Sequence, residues 1–496
     1  PQRVREDLRL LWKRTLPVPR PAFHDVRLQF DGGYEPVVMG RRLFLSSTVD
    51  DSVSAYDTAT GRRLWRFNAN APVRHAPVAW EGRVLFGSDD GMFYCLSVEN
   101  GRVMWSRRAV PSGRKLLGNG RLISVWPVRG APVLKDGRVY FAAGVWPFEG
   151  VFIFCLDAVT GKQIWVNDST GHLYGQQPHN AVAIGGIAPQ GYLLIDGEDL
   201  VVPSSNAYPG RFDLQTGALR DFKLPLGGRF PGGWYASLAG KAARQDGGKK
   251  SLLADIGINV VQHEGGMRAE GRPEVRTTIR AGDRELRFAD GHPQVDGRIH
   301  SMIVADDKLF VTTVAGDLCA FGASVAGAPR LHGREPGARA KATPLSTELL
   351  GLGARHGYAV FLGAPDGDTL AHLVEESSLH CIVVDSDEAL VEALRRRFER
   401  SGKYGVRIAV SQADPATDEM PPYFAHLVFL RRGIVPDSRE RVFHSVRPFG
   451  GRMVVQTDQG LQVTVRNGAL PGSTNYAGDF TASPDDLVKS PFGVLW

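Results

Sequence analysis

Apolar and polar residues alternate in short runs along roughly the first 320 positions of the chain, and glycines interrupt the runs. The runs "VVMGRRLFLSS", "VAWEGRVLFGS" and "VLKDGRVYFAA" share one pattern, with Gly40, Gly82 and Gly137 at the turn. Side chains of a strand point to opposite faces in turn, so alternation broken by glycine turns predicts pairs of antiparallel strands.

A second pattern follows each of these runs: "AYDTATGRRLW", "CLSVENGRVMW" and "CLDAVTGKQIW" match position by position. Each has a polar turn with a glycine and, four residues later, Trp65, Trp105 or Trp165. We expect a strand, a turn whose glycine takes positive φ, and a second strand ending in a ring that packs on its neighbour. Two weaker copies are "LLIDGEDLVVPSS" with "RFDLQTGALRDF", and "IVADDKLFVTTVAGDLCAFG".

One such four-stranded unit cannot bury both of its faces, so several must stack. Repeats of about 40 residues that stack around an axis predict an all-β propeller, here with seven or eight blades over residues 1–322. The sharpest copy, Ala-x-Asp-x-x-Thr-Gly-x-x-x-Trp, resembles the tryptophan-docking repeat of the quinoprotein-like (PQQ-like) propellers. That superfamily holds PQQ-dependent alcohol dehydrogenases and also non-enzymatic assembly scaffolds of the BamB type.

The cysteines help to distinguish a PQQ-dependent dehydrogenase from a non-enzymatic scaffold. The resemblance implies that a dehydrogenase would carry two adjacent cysteines against the quinone, and a carboxylate and an asparagine that hold calcium. Cys95, Cys155, Cys319 and Cys381 lie far apart within apolar stretches, with neither Cys-x-x-Cys nor metal-ligand spacing. They are predicted to be buried thiols. The sequence therefore disfavours PQQ as a cofactor and predicts no metal site.

Long loops separate the copies and occur at one point of the repeat, so they should emerge on one face of the propeller. The candidate residues for a ligand at this propeller mouth are Arg114, Trp126, His172, His179 and Trp234. Such a lining would suit a polar, ring-bearing or anionic ligand, or a partner protein. The alternative is that these segments fill the axial channel.

Residues 323–346 are rich in Gly, Ala, Pro and Arg and predict a linker. From residue 347 to 468 the pattern changes to alternating strands and helices: "YAVFLG", "DTLAHLVEESS", "HCIVVDSD", "DEALVEALRRRFERSG" and "VRIAVSQAD". This order predicts an α/β domain with a parallel, doubly wound sheet. The run Arg395 to Arg397 is predicted to be a solvated helix face.

The turn "GAPDG" after the first of these strands resembles the cofactor loop of class I SAM-dependent methyltransferases. Gly363 and Gly367 match the outer glycines of that loop, and Asp366 lies between them. Asp385 matches the acid that binds the ribose, and Asp414 the acid near the adenine amine. The resemblance implies a Rossmann-like fold and S-adenosyl-L-methionine as cofactor.

Two departures leave the activity open. Pro365 stands where the family has its middle glycine, which removes a backbone donor. The fourth strand, Ala425 to Arg432, lacks the acidic or amide residue that often begins the catalytic motif. No catalytic residue is assigned, and the domain is either a methyltransferase or a degenerate form of that fold kept for structure.

The two ends of the chain are alike. "VREDLRLLW" at Val4 to Trp12 aligns with "VKSPFGVLW" at Val488 to Trp496. Residues 469–496 are therefore predicted to be a lead-in and the first strand of a second propeller, or else a closing strand.

Charge and hydropathy narrow the class of partner. The net charge of +6 is spread over 496 residues, which disfavours nucleic acid. No stretch approaches the roughly 18 apolar residues of a spanning helix. We expect a non-catalytic recognition or scaffold protein. The alternative is a SAM-dependent methyltransferase that uses the propeller to select its substrate. A PQQ-dependent dehydrogenase is less favoured. The propeller resemblance implies the cell envelope or periplasm, whereas use of SAM implies the cytoplasm.

Overall fold

The structure is a computed structural model that describes residues 4, 8–23, 30–118, 120–170, 173–176, 182–204, 209–222, 235–238, 258–261, 278–282, 284–287, 294–323, 328–333, 337 and 340–470. The chain divides into two units. Unit 1 is Pro1–Gly113 with Ile123–Arg334, and unit 2 is Arg114–Leu122 with Glu335–Trp496.

Unit 1 consists of small, mainly antiparallel sheets. Strand β1 (Arg9–Thr15) is followed by a first sheet of β2 (Val37–Met39), β3 (Arg42–Ser46), β4 (Ser52–Asp57) and β5 (Arg63–Asn68). The second sheet has β6 (Val78–Trp80), β7 (Arg83–Gly87), β8 (Met92–Ser97) and β9 (Val103–Arg108). A hairpin of β10 (Lys115–Gly118) and β11 (Arg121–Ser124), whose residues up to Leu122 belong to unit 2, precedes the third sheet in sequence. The third sheet has β12 (Gly130–Lys135), β13 (Arg138–Ala143), β14 (Phe152–Asp157) and β15 (Gln163–Asn167).

The repeat continues with further short strands. A hairpin of β16 (Leu173–Gln176) and β17 (Val182–Gly185) comes before β18 (Gly191–Tyr192), which pairs in parallel with β12. The fourth sheet has β19 (Leu194–Asp196), β20 (Asp199–Val202), β21 (Gly210–Asp213) and β22 (Leu219–Asp221). Two strand pairs follow, β23 (Tyr235–Leu238) with β24 (Ile258–Val261) and β25 (Thr278–Ala281) with β26 (Arg284–Arg287). The last strands of unit 1 are β27 (Ile299–Ala305), β28 (Lys308–Thr313), β29 (Asp317–Gly322) and β30 (Arg330–His332).

Strand β1 joins the beginning of unit 1 to its end. It pairs antiparallel with β29, with Lys13 opposite Cys319, and parallel with β30. The resulting sheet has the order β27-β28-β29-β1-β30. The first strand of the chain thus completes the last sheet of unit 1. The number of blades stays a prediction, because much of the segment from 223 to 293 lies outside the described residues.

Each of four tryptophan rings lies on a turn glycine of the next sheet. A Cβ atom built on Gly101 would lie 2.6 Å from Cε3 of Trp65, and Gly101 has a φ of +70°. The other three pairs have the same arrangement: Trp12 on Gly61, Trp105 on Gly161, and Trp165 on Gly217. Only a glycine tolerates both the close ring and the positive φ, so this turn residue lets one sheet pack tightly on the next.

Indole hydrogen bonds reinforce three of these contacts. Nε1 of Trp12 donates to the carbonyl oxygen of Thr58 at 2.9 Å. Nε1 of Trp65 and of Trp165 donate in the same way to Val98 and Leu214, at 2.9 and 3.0 Å. Trp12 is fully buried and makes the same two contacts as Trp65 and Trp165. It therefore belongs to this set, although its strand β1 lies before the first four-stranded sheet.

The four cysteines are free and buried, which confirms the prediction made from their apolar surroundings. Burial raises the pKa of Cys95 and of Cys319 to about 12. Thiols with such values are protonated at neutral pH and are poor nucleophiles and ligands.

Unit 2 has helices and strands where the alternating pattern predicts them. They are α1 (Pro344–Gly351), β31 (His356–Leu362), α2 (Gly367–Glu376), β32 (Ser378–Asp385), α3 (Glu388–Arg400), β33 (Ile408–Gln412), β34 (Ala425–Leu430), α4 (Arg439–His444), β35 (Gly451–Thr457) and β36 (Gly460–Arg466). The sheet order is β33-β32-β31-β34-β35-β36. The segment predicted as a linker, 323–346, contains β30 and the start of α1.

The sheet of unit 2 is mixed, which corrects the prediction of a parallel sheet. Strands β31 to β35 pair in parallel, but β36 pairs antiparallel with β35. Thr457 and Gly460 are partners in that register, so the connection is a tight hairpin. A turn of this length cannot make the crossover that a further parallel strand requires.

Helices α2 and α3 cover one face of this sheet. Leu373, Leu394 and Phe398 are buried there with Phe361 of β31. The expectation of a solvated run is wrong for Arg395, which is only 6% exposed and whose Nε donates to the carbonyl oxygen of Val410 at 3.0 Å.

Residues 114–122, which lie between the second and third sheets in sequence, belong to unit 2. Leu117 and Leu122 pack on its second sheet face, in the cluster that contains Val360 and Val428. Nζ of Lys115 lies 2.5 Å from Asp418. Unit 2 is therefore discontinuous in sequence. Among the described residues, none of the helices could cross a lipid bilayer.

Candidate functional site

The first candidate site is the edge of the unit 2 sheet at the carboxyl ends of β31 and β34. The strand order reverses between these two strands, and ligands of open α/β sheets bind at such a point. Gly363 follows β31 with a φ of +79°, and its N–H donates to Val384 at 2.9 Å. The turn predicted to hold a cofactor is therefore in the expected place.

Asp366 is the N-cap of α2. Its carboxylate accepts hydrogen bonds from the backbone N–H of Thr369 at 2.8 Å and from the Thr369 hydroxyl at 2.7 Å. Burial by itself would raise the pKa of Asp366, but these hydrogen bonds hold it below the ordinary value. The side chain thus satisfies one of the free backbone donors at the beginning of the helix.

Asp385 is 2% exposed, and hydrogen bonds within the chain occupy both of its oxygens. Oδ2 accepts from the N–H of Ala364 at 2.8 Å, and Oδ1 from the N–H of Asp387 at 3.0 Å. Nη1 of Arg431 lies 3.5 Å from Oδ2 of Asp385 and donates to the carbonyl oxygen of Ala364 at 2.9 Å. The carboxylate and the guanidinium together hold the turn in place.

The segment after β34 lies directly on this turn. A Cβ atom at Gly363 would come within 2.8 Å of Cγ1 of Ile434 and 2.9 Å of Cβ of Arg431. The space beside the glycine is therefore taken by the chain itself.

The other two predicted cofactor residues face elsewhere. Gly367 is the first residue of α2, and a Cβ atom there would lie 3.0 Å from Nη1 of Arg397 on α3. Asp414 is exposed, and its carboxylate accepts from the N–H of Ala416 at 2.9 Å, within its own turn. The structure thus brings Gly363 and Asp385 together, whereas Gly367 packs on a helix.

The predicted propeller-mouth residues do not form one group among the described residues. Trp126 is buried, and its Nε1 donates to the carbonyl oxygen of Glu149, in the short 3-10 helix Pro147–Glu149. Arg114 begins the segment that belongs to unit 2. The remaining three, His172, His179 and Trp234, lie outside the described residues.

The second candidate site, in unit 1, was not predicted. Loops that precede the first strands of successive sheets carry polar residues, and these strands, β2, β6 and β12, lie beside one another. We call this group the inner polar cluster: Asp31, Glu35, Arg74, His75, Asp89, Arg129, Gln190, Tyr192 and His300. A sequence signal exists for part of it, because Arg-x-Ala-Pro-Val occurs twice, at Arg74 and at Arg129.

A buried ionic network forms one side of the inner polar cluster. Arg129 donates to both oxygens of Asp89 at 2.9 Å, and Nε of Arg74 donates to Oδ2 of Asp89 at 2.5 Å. Nη1 of Arg74 also donates to Asp31 at 2.5 Å. Burial by itself would raise the pKa of Asp89, but Arg129 and Arg74 lower it to about 2. Two arginines and two aspartates thus neutralise one another.

The other side of the cluster holds Glu35 and His75. Glu35 accepts a hydrogen bond from the Tyr192 hydroxyl, and His300 Nε2 lies 3.8 Å from its Oε1. Burial raises the pKa of Glu35, but His300 and Tyr192 outweigh it and keep the net shift downward. The carboxylate is therefore ionised at neutral pH.

His75 is 5% exposed, and its ring lies 5.3 Å from the ring of Phe30 and 5.0 Å from that of Tyr192. Neither ring nitrogen has a hydrogen-bond partner in the described part of the chain. Burial lowers the pKa of His75, so the imidazole is neutral. Among the described residues, no group of three or more His, Cys, Asp or Glu side chains is placed to hold a metal ion.

Comparison with known proteins finds similarity in the first part of the chain. Residues 5–126 match the family described as outer membrane protein assembly factor BamB. The dehydrogenase subunit of the quinone alcohol dehydrogenase of Gluconacetobacter polyoxogenes is 32% identical over 125 residues, which are 23% of this chain and 16% of that enzyme. The 1-butanol dehydrogenase (quinone) of Thauera butanivorans is 29% identical over 138 residues, 24% of this chain and 20% of that enzyme. The first 125 or so residues are therefore similar to the PQQ-like, BamB-type repeat of β-propellers.

Two solved structures give distant matches. BamB of Moraxella catarrhalis aligns with a TM-score of 0.30 and 15% identity over 58% of this chain and 71% of that one. The quinohemoprotein alcohol dehydrogenase of Comamonas testosteroni gives a TM-score of 0.36 and 19% identity over 47% and 40% of the two chains.

Proposed function

We propose that the chain is a non-catalytic recognition or scaffold protein built on a PQQ-like β-propeller, and that its α/β unit is a degenerate form of the SAM-dependent methyltransferase fold. The observation that carries the proposal is the closed turn at Gly363. Arg431 and Ile434 lie on this glycine, and Asp385 is bonded within the chain.

Binding of S-adenosylmethionine at this edge would need two things. The backbone at the glycine turn must be open to the ligand, and an acid at the end of the second strand must accept hydrogen bonds from the ribose hydroxyls. Asp385 is 2% exposed and already accepts two backbone N–H groups. Exposing it would cost those bonds and leave Arg431 without its carboxylate, so the residues at this edge do not fit the cofactor.

The quinone chemistry of the matched relatives also lacks support in the residues present. The chain has no adjacent cysteines, and its four cysteines are separately buried. The described residues hold no cluster suited to a metal ion. A fold shared with dehydrogenases does not by itself supply their chemistry. A BamB-type repeat instead supports a protein or small-molecule partner and a place in the cell envelope.

Calorimetric titration of S-adenosylmethionine into the full chain tests the proposal. We expect no saturable heat at high protein concentration, because the turn at Gly363 is closed. The control variant is Asp385→Ala, with thermal unfolding measured beside it to show that the variant folds. A saturable heat in the natural chain that Asp385→Ala abolishes would contradict the proposal and favour the methyltransferase alternative.

A further inference from the structure

Charge balance singles out one carboxylate of the inner polar cluster. Asp31 and Asp89 are both paired with arginine, whereas the contacts of Glu35 are the Tyr192 hydroxyl and His300. Burial by itself would raise the pKa of Glu35, yet its partners keep it ionised at neutral pH. Within the described residues the cluster therefore carries one negative charge that no arginine or lysine neutralises.

This charge is accessible to solvent. The side chain of Glu35 is 28% exposed and that of His300 is 19% exposed, although the ionic network beside them is almost fully buried. Oε1 of Glu35 lies 3.8 Å from His300 Nε2, which is beyond hydrogen-bond distance. One carboxylate oxygen is thus open to a further donor.

His75 supplies a second polar group, whose ring nitrogens make no hydrogen bond of ordinary geometry within the described residues. A buried polar group that makes no hydrogen bond is costly to the fold, so its presence calls for an explanation such as a ligand. The ring is neutral and offers one acceptor nitrogen. Phe30 stacks on the ring of His75 at 5.3 Å and Tyr192 meets it edge-on at 5.0 Å, so the two aromatic rings hold the imidazole in place.

We propose that the inner polar cluster binds a primary ammonium group, with Glu35 as its counter-ion and His75 as a hydrogen-bond acceptor. The inference rests on the proposed recognition function and names the class of ligand. An ammonium ion is compact and carries three donors, which suits a single open carboxylate oxygen and one imidazole nitrogen. An anionic ligand would meet the charge of Glu35 instead, because the arginines nearby are already paired.

Saturation-transfer NMR on the full chain tests this with three small probes of similar size. They are butylammonium, the neutral 1-butanol and the anionic butyrate. We expect saturation transfer to butylammonium and at least a tenfold weaker signal for the other two. In Glu35→Gln the butylammonium signal should fall to the level of 1-butanol, since only the charge is removed.

The matched control is Glu99→Gln, which removes an exposed carboxylate that pairs with Arg42 in the same unit. It should leave the butylammonium signal unchanged. A second variant, His75→Phe, should weaken butylammonium binding and raise the melting temperature, because it replaces an unpartnered buried ring with an apolar one of similar shape.

A short peptide with one lysine, and the same peptide acetylated at that lysine, distinguish the source of the ammonium group. Saturation transfer to the lysine protons of the unacetylated peptide, but not to those of the acetylated peptide, indicates a polypeptide partner. Transfer to butylammonium and to neither peptide indicates a small amine. Either result supports the proposal. Equal transfer to butyrate, a butylammonium signal that survives in Glu35→Gln, or no transfer to any cation would overturn it. S-adenosylmethionine binding is measured separately, so that a failure of this inference can be told from a failure of the proposed function.

Discussion

Replacing Trp12 with alanine is expected to lower the free energy of unfolding of unit 1 by about 3–5 kcal/mol, the usual cost of removing a large buried aromatic side chain. The ring of Trp12 is fully buried on Gly61, and its Nε1 donates to Thr58 at 2.9 Å. Because its strand β1 completes the last sheet, the loss should weaken both ends of unit 1. Urea unfolding followed by tryptophan fluorescence measures the effect.

Three further variants distinguish the contribution of the Trp12 ring to stability from that of the glycine backbone. Trp12→Phe keeps a ring on Gly61 but loses the indole hydrogen bond. The lost hydrogen bond should lower the free energy of unfolding by about 1 kcal/mol, in addition to the effect of the smaller ring. Gly61→Ala and Gly40→Ala both place a side chain at positive φ, +68° and +57°. Only at Gly61 would the new methyl meet the ring, at 2.6 Å, whereas nothing lies within 4 Å at Gly40. Equal costs for the two glycine variants would contradict the packing described for Trp12.

Asp89→Asn is expected to destabilise unit 1 by about 3–5 kcal/mol, since it leaves the buried Arg129 without its carboxylate and Arg74 with Asp31 alone. Asp89 is 1% exposed and accepts from both Arg74 and Arg129. The control is Glu99→Gln, which breaks an exposed ion pair with Arg42 and should cost no more than about 1 kcal/mol. Urea unfolding at neutral pH gives both values.

The same residue predicts a pH dependence. Burial opposes ionisation of Asp89, but Arg129 and Arg74 together bring its pKa to about 2 in the folded chain, below the value of about 4 expected when unfolded. A lowered folded pKa means that the stabilisation is fully present above about pH 4 and is lost as the pH falls toward about 2. In Asp89→Asn this part of the acid dependence should be absent. An unchanged pH profile in the variant would show that the pairing is weaker than the geometry indicates.

The repeat could be predicted from sequence because its signals are local. A turn glycine four residues before a tryptophan defines the strands around Trp65, Trp105 and Trp165 without any knowledge of distant contacts. The structure adds Trp12 to this set, where no preceding turn glycine marks it. Its role depends on pairing with β29, about 300 residues away, which no local pattern reveals.

The inner polar cluster could be predicted only in part. The motif Arg-x-Ala-Pro-Val marks Arg74 and Arg129, but their shared partner Asp89 lies in a turn between β7 and β8. Glu35 and His300 come together because the first strands of separate sheets meet, and the register of those sheets is a property of the whole unit.

In unit 2 the sequence predicts the position of the turn, but not that the chain itself covers it. Gly363 and Asp385 lie where the pattern placed them, whereas Arg431, which covers them, comes from the segment after β34. The burial of Arg395 was missed for a related reason. Its Nε donates to the carbonyl oxygen of Val410 of β33, so a charged residue can face the sheet although the helical pattern predicts solvent.

The central claim is that docked tryptophans hold successive sheets in register and so bring the residues of the inner polar cluster together. Hydrogen exchange of the indole N–H groups, followed by NMR on tryptophan-labelled protein, tests it most directly. The account predicts slow and similar exchange for Trp12, Trp65 and Trp165, because each indole donates to a backbone carbonyl of the neighbouring sheet. Rapid exchange at any of the three, with the protein otherwise folded, would contradict it.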